Sequence, residues 1–326
     1  MGYTRRAFLS MGGAAALLAA AARPVRAALP ELTIWGPPAG PSITLIYAIV
    51  SGGLAGLAEK VTFKSWRSAD ELRAGLASRT MDLFILSTHN AANLFNRGLD
   101  VRLLNVMTNG LLYVLSSNEK LASIPELRGQ NIAVPYRNDT PDIIFRHLLV
   151  RHGLNPDKDI TQHSTGSPME SVQMLLTGRV SAILLPEPAI TAALMNGAKN
   201  GRPLFRAIDI QKAWGEATGL APILPQAGLG VTGRFLAAHP TVLDDLQNGL
   251  ANAVALVNAR PEQAAADTAR TMGLPVPVTA AAIPHSNLVA TRAAAARPAL
   301  EAVYTTLAEH DAGIIGGALP PPAFYL

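Results

Sequence analysis

Apolar positions in this chain alternate between short continuous runs and helical stripes, and the two kinds of segment recur in a fixed order. From Ser167 to Pro188 the chain reads SPMESVQMLLTGRVSAILLPEP. Ser167 suits a helix N-cap, Pro168 the first helical position, and Glu170 completes a capping box three residues after the cap. Val172, Leu175 and Leu176 form an apolar helical stripe. Thr177-Gly178-Arg179 ends it, because glycine accepts the left-handed conformation at a helix C-terminus. Val180 to Leu185 then reads as a short buried strand that empties into Pro186-Glu187-Pro188. The pattern predicts a capped helix feeding a parallel strand. The loop at that strand's C-terminal end is where open α/β sheets hold ligands.

The same device occurs about one hundred residues earlier. Ser68-Ala69-Asp70-Glu71 is a second capping box, Leu72 and Leu76 mark its apolar face, and Met81 to Leu86 is its strand, ending in Ser87-Thr88-His89-Asn90. The preceding units match at the same shift. Leu32 to Trp35 is a strand followed by the loop Gly36 to Ser42 and a helix to Val50. Ile132 to Val134 is a strand followed by Tyr136 to Thr140 and a helix from Pro141 to His152. The chain is expected to be α/β, with two βαβαβ lobes built to one plan.

Between and after these units lie further strand-like runs: Val61 to Ser65, Leu103 to Thr108, Leu111 to Ser116 and Thr161 to Ser164. Asn109-Gly110 reads as the first crossing between lobes, and the stretch from Gly219 to Gln226 as the return. The expected layout is residues 28–112 in lobe 1, 113–219 in lobe 2, and 220–326 back in lobe 1. Alanine-rich helices are expected at Val242 to Asn258, Glu262 to Met272 and Arg292 to Ala308, packed on lobe 1, with an extended Pro320-Pro321-Pro322 tail. Gly228-Leu229-Gly230-Val231-Thr232-Gly233 is formally a GxGxxG. It follows Pro222 and Pro225 instead of a clean strand, and no acidic residue sits about 20 positions on, so a strand with crowded backbone is the better reading.

Composition narrows the class. Of 326 residues 49% are hydrophobic and 15% charged, which describes a globular chain with a large core. The first 27 residues change the charge reading. Thr4-Arg5-Arg6-Ala7-Phe8-Leu9 resembles a twin-arginine export signal, an apolar run spans Met11 to Ala22, and Ala27 offers a cleavage point. Four of the 27 basic residues lie in that segment; without them basic and acidic residues balance at 23 each. Charge therefore argues against nucleic-acid binding. The chain has no cysteine, which excludes disulfides, thiolate metal sites, a cysteine nucleophile and a lipidated-cysteine anchor. Neither HExxH, a P-loop nor GxSxG is present.

Several segments carry a family resemblance: Leu127-Arg128-Gly129-Gln130-Asn131-Ile132-Ala133-Val134, then Leu175 to Ala182, then Pro186-Glu187-Pro188, and Ala238-His239-Pro240. With the duplicated lobes and the export signal, the chain resembles type II periplasmic solute-binding proteins. The nearest group serves ABC importers for nitrate, sulfonates, taurine and thiamine-precursor pyrimidines. The resemblance implies a periplasmic monomer, free of cofactor, that closes two lobes on a small solute and presents it to a membrane permease. Two other readings share the scaffold. One is an enzyme of the menaquinone-pathway or thiamine-pyrimidine type, although the latter's cysteine-rich motif is missing. The other is an exported sensor or accessory ligand-binding subunit.

If the lobes face each other, loops after equivalent strands converge, with helix N-termini pointing inward. The candidate ligand-binding residues are then Gly40, Ser42, Trp66, Ser87, Thr88, His89 and Asn90 from lobe 1, and Tyr136, Arg137, Asn138, Asp139, Thr140, Thr165, Ser167 and Glu187 from lobe 2. Uncharged hydroxyl donors favour a small anion or the anionic end of a zwitterion. Arg137 suits a bidentate contact to an acid group, Glu187 and Asp139 an amine or ring N–H, and Trp66 and Tyr136 a flat face. No metal site is expected.

Overall fold

The computed structural model describes residues 29–66, 68–135, 137 and 139–326. The expected export signal, and Tyr136 and Asn138 of the candidate site, lie outside the described residues.

The elements run β1 (Leu29–Gly36), α1 (Gly40–Val50), β2 (Ala58–Ser65), α2 (Ala69–Ala77), β3 (Leu83–Ser87), α3 (Thr88–Asn96), β4 (Val101–Thr108), β5 (Leu112–Ser116), β6 (Asn131–Pro135), α4 (Thr140–Arg151), β7 (Thr161–Thr165), α5 (Pro168–Leu176), β8 (Ala182–Pro186), α6 (Ala189–Lys199), β9 (Phe205–Asp209) and α7 (Ile210–Thr218). Then follow β10 (Ala227–Thr232), α8 (Gly233–Ala238), α9 (Val242–Ala259), α10 (Pro261–Met272), α11 (Val276–Ala282), β11 (Leu288–Arg292) and α12 (Ala293–His310).

Two sheets result. The first has the order β2-β1-β3-β10-β4-β11, the second β7-β6-β8-β5-β9. In each, the first three strands are mutually parallel and the strand beside the third runs antiparallel to it. The duplication read from the capping boxes is therefore a duplication of sheet topology. The chain leaves the first sheet after β4 and returns to it with β10. At the crossings, the N–H of Leu224 donates to the carbonyl of Asn109 at 2.9 Å, so the two connections are bonded to each other.

Period-two alternation sorts the side chains. Leu83 and Ile85 of β3 face α1, α9 and α10, whereas Phe84 and Leu86 face the opposite layer. In the second sheet Val114, Ile132 and Leu184 point to one side and Tyr113, Ala133 and Ile183 to the other. One apolar cluster spans both sheets: Phe145 and Leu148 of α4 share it with Leu300, Tyr304 and Leu307 of α12. So α12 packs on β4 and also on α4, bridging the lobes, where the sequence placed it on lobe 1 alone.

Several local expectations change. Helix α1 begins at Gly40, so Gly40 and Ser42 sit in its first turn and not in a loop. After β3 there is no loop at all, because α3 starts at Thr88. Elements α6, β9 and α7 do not stand out in the sequence pattern, nor does β11, which falls between the expected helices and pairs antiparallel with β4. The proline tail carries a short 3₁₀ turn, Pro322–Phe324.

Candidate interlobe site

Capping positions the strand-end segments. Ser68 Oγ accepts the N–H of Glu71 at 3.1 Å, and Ser167 Oγ accepts that of Glu170 at 3.3 Å. The Glu170 carboxylate reaches past its cap to the N–H of Gly166 at 2.8 Å. Thr165 and Ser171 share a hydroxyl–hydroxyl bond of 2.6 Å. These contacts fix the start of α5 and occupy the hydroxyls of Thr165 and Ser167.

Two polar contacts between the lobes bear on the candidate residues. At the first, the Thr140 hydroxyl lies 2.6 Å from Nδ1 of His89, and the Nε2 of His89 lies 3.4 Å from an Asp139 oxygen that also accepts the N–H of Thr140 at 2.7 Å. His89 belongs to the first turn of α3 in lobe 1, while Asp139 and Thr140 begin α4 in lobe 2. Burial alone pushes the Asp139 carboxyl upward. The bond and charge of His89, with the two bonds from Thr140, outweigh it and hold the group below the ordinary aspartate range. Beside His89, the Thr88 N–H donates to the carbonyl of Gln226 at 3.0 Å and its hydroxyl to that of Pro225 at 2.7 Å. The Leu111 N–H donates to Gln226 Oε1 at 2.9 Å. The first turn of α3 is thus tied to both chain crossings.

At the second place, the Tyr113 hydroxyl of β5 donates to the carbonyl of His285 in lobe 1 at 2.8 Å. Burial, then the Asp209 charge, raises the Tyr113 phenol to about 12, so it stays a protonated donor. The Arg206 guanidinium lies over the Tyr113 ring at 4.9 Å and pairs with Glu187. Glu187 is wholly buried, and burial outweighs the pull of Arg206, holding its carboxyl above the ordinary glutamate range. Arg206, Tyr113 and His285 are absent from the sequence-level candidates. Arg206 lies on β9, which shows no clear alternation, and its partner Glu187 is 19 residues away.

The other candidates are placed as follows. Gly40 is buried where the Ser286 segment passes: a Cβ there would lie 3.0 Å from Ser286 Cβ. Ser42 is buried and donates to the Pro37 carbonyl at 2.6 Å. Trp66 donates its indole N–H to the carbonyl of Ile85 at 3.1 Å. Ser87 takes the N-cap position of α3 without a side-chain cap, and Asn90 is half-buried. Arg137 is exposed and lines, with Arg146, Asp157 and Gln162, a groove of about 560 Å³ along the free edge of β7. So His89, Asp139 and Thr140 come together across the lobes, and Thr88 beside them is bonded to the return crossing. Most hydroxyls expected to offer free donors are committed within the protein. Among the described residues no group of three side chains could hold a metal, and no helix is long and apolar enough to cross a membrane.

Two α/β sheets of common topology, linked by a double crossing and meeting at the loop-bearing strand ends, define the type II periplasmic binding fold. The chain belongs to the NMT1-like family, whose model matches residues 45–273. Solved structures agree on the fold. An ABC transporter protein from Parabacteroides distasonis is 20% identical with a TM-score of 0.73, covering 92% of this chain and 98% of that one. The periplasmic aliphatic sulphonate binding protein SsuA of Escherichia coli is 18% identical with a TM-score of 0.66, covering 84% and 92%. The periplasmic nitrate-binding protein NrtA of Synechocystis is 15% identical with a TM-score of 0.59, covering 77% and 69%. No curated protein matches the sequence significantly.

Proposed function

We propose that this chain is the solute-binding component of an ABC importer, exported to the periplasm, where it closes two lobes on a small organic anion or zwitterion and delivers it to a membrane permease. The observation that carries this reading is the contact of strand-end segments from both sheets at one junction, with His89 of lobe 1 against Thr140 of lobe 2 at 2.6 Å. Helices α1, α3 and α4 begin at these strand ends, and helix N-termini favour acceptor groups. Structural neighbours named for sulphonate and nitrate binding support the same reading. The twin-arginine-like segment, cleavage after Ala27, a monomeric mature form and binding without turnover complete it.

Closure is a hinge motion, with the bonded crossings at Asn109 and Leu224 absorbing the change. A solute touching both lobes favours the closed form by its differential affinity. The test is a thermal-shift screen of the purified protein against sulfonates, nitrate, taurine, pyrimidines and aromatic carboxylates, with solution scattering on each hit. Stabilisation with a smaller radius of gyration, and full recovery of the unchanged solute, is the expected result. Consumption of the solute by the pure protein would overturn it.

A further inference from the structure

The sequence pattern offers Glu187 as a partner for an amine; the structure places a different group in reach. Both Glu187 oxygens are occupied, Oε1 by Nη2 of Arg206 and Oε2 by the N–H of Thr191 at 3.2 Å. The Glu187 side chain has 0% exposure, while Arg206 keeps 19%. Arg206 Nη2 also donates to the Thr191 hydroxyl at 3.2 Å, and its Nε–H is buried with no hydrogen-bond partner. Its guanidinium rests on Tyr113, whose hydroxyl reaches lobe 1, so the group sits where the lobes meet. The His285 ring packs edge-on against Tyr113 from the other side of that junction. Burial, then the Arg206 charge, holds its imidazole below the ordinary histidine range, so it adds little positive charge at neutral pH.

We infer that Arg206 is the specificity-determining residue at this end of the cleft, and that the solute lies with a carboxylate, sulfonate or phosphonate against its guanidinium. This rests on the solute-binding reading above. A solute meeting the ion pair meets its exposed member, which is the cation. An ammonium group would have to displace Arg206 from Glu187 and leave two like charges competing for one buried carboxylate, an expensive exchange in a low-dielectric site. An acceptor adds to the pair without breaking it. Held over the Tyr113 ring, the guanidinium keeps the N–H groups of Nη1, which neither Glu187 nor Thr191 takes, to donate to an acid group. Glu187 then serves as a positioning residue that holds the guanidinium in place.

The experiment titrates the purified protein calorimetrically with short aliphatic and aromatic sulfonates, carboxylates and phosphonates, their amino-bearing zwitterions, and amines and alcohols of the same carbon skeletons. The acid-bearing members bind and the amines do not. Arg206→Gln weakens them by about tenfold or more, and Arg206→Lys recovers part of the loss, as expected for a charge-assisted contact. Since Arg206→Gln strands the buried Glu187 carboxylate, the double variant Arg206→Gln/Glu187→Gln serves as the folding control. It replaces the pair by amides of similar shape, melts as a folded protein, and still fails to hold the acids. Preference for an amine or alcohol over the matching acid overturns the assignment, as does a folded double variant that binds the acids as tightly as the parent. A parent protein that binds no member overturns the solute-binding reading itself, whereas binding indifferent to Arg206 overturns only the assignment.

Discussion

Asn105 is fully buried in β4, and its amide is used from both ends. Nδ2 donates to Gln247 Oε1 at 2.7 Å, and Oδ1 accepts the Leu229 N–H at 3.1 Å. Gln247 Nε2 carries the chain on to the carbonyl of Ala290 at 2.7 Å. One amide pair therefore ties β4 to β10, α9 and β11. Asn105→Leu keeps the bulk and orphans two buried groups, each worth roughly 1–3 kcal/mol; a lowered thermal midpoint in a calorimetric melt is the expected outcome. Gly228 explains the neighbouring GxGxxG. A Cβ there would sit 2.0 Å from the Asn105 carbonyl oxygen, so the glycine serves strand packing and not a phosphate. That reading was available locally, from the prolines before it. The role of Asn105 was not, since Gln247 is 142 residues away.

Among the elements, α5 and the α3–α4 contact make separate predictions. The Ser167 cap is local, and Ser167→Ala is expected to cost about 1 kcal/mol of stability, read from a denaturant midpoint. The α3–α4 contact is tertiary and depends on pH. Because the folded Asp139 carboxyl is held below its ordinary value, its stabilising contribution is complete above about pH 4 and is lost as pH falls through the depressed folded value. Melting curves taken down through the acid range should therefore fall more steeply for the parent than for Asp139→Asn, in which that titration is gone. Parallel curves would remove Asp139 from the lobe contact. The capping box is legible because its partners are three residues apart; the lobe contact joins residues separated by about fifty.

On the scale of the whole molecule, the apolar cluster running from α12 into α4 joins the two sheets in one core. A single thermal transition is expected, with no separate melting of the second sheet. Leu148→Ala, at a fully buried position of that cluster, should lower its stability by about 2–5 kcal/mol while keeping one transition. Two resolved transitions in the calorimeter would show that the lobes fold apart. The shared cluster constrains the proposed closure, because α12 and α4 are packed together in it.

Local chemistry alone determined the alternation of capped helices and short strands, the duplicated plan, and the strand at Gly228. Each rests on neighbours within a few residues, or on a pattern repeated along the chain. Strand β11 and the direct start of α3 at Thr88 were settled only by pairing and packing. The same holds for the commitment of the candidate hydroxyls and for Arg206, not Glu187, being the exposed charge. These depend on which distant segment arrives beside a residue and occupies its hydrogen-bonding groups, and burial then decides which member of a pair a solute can touch.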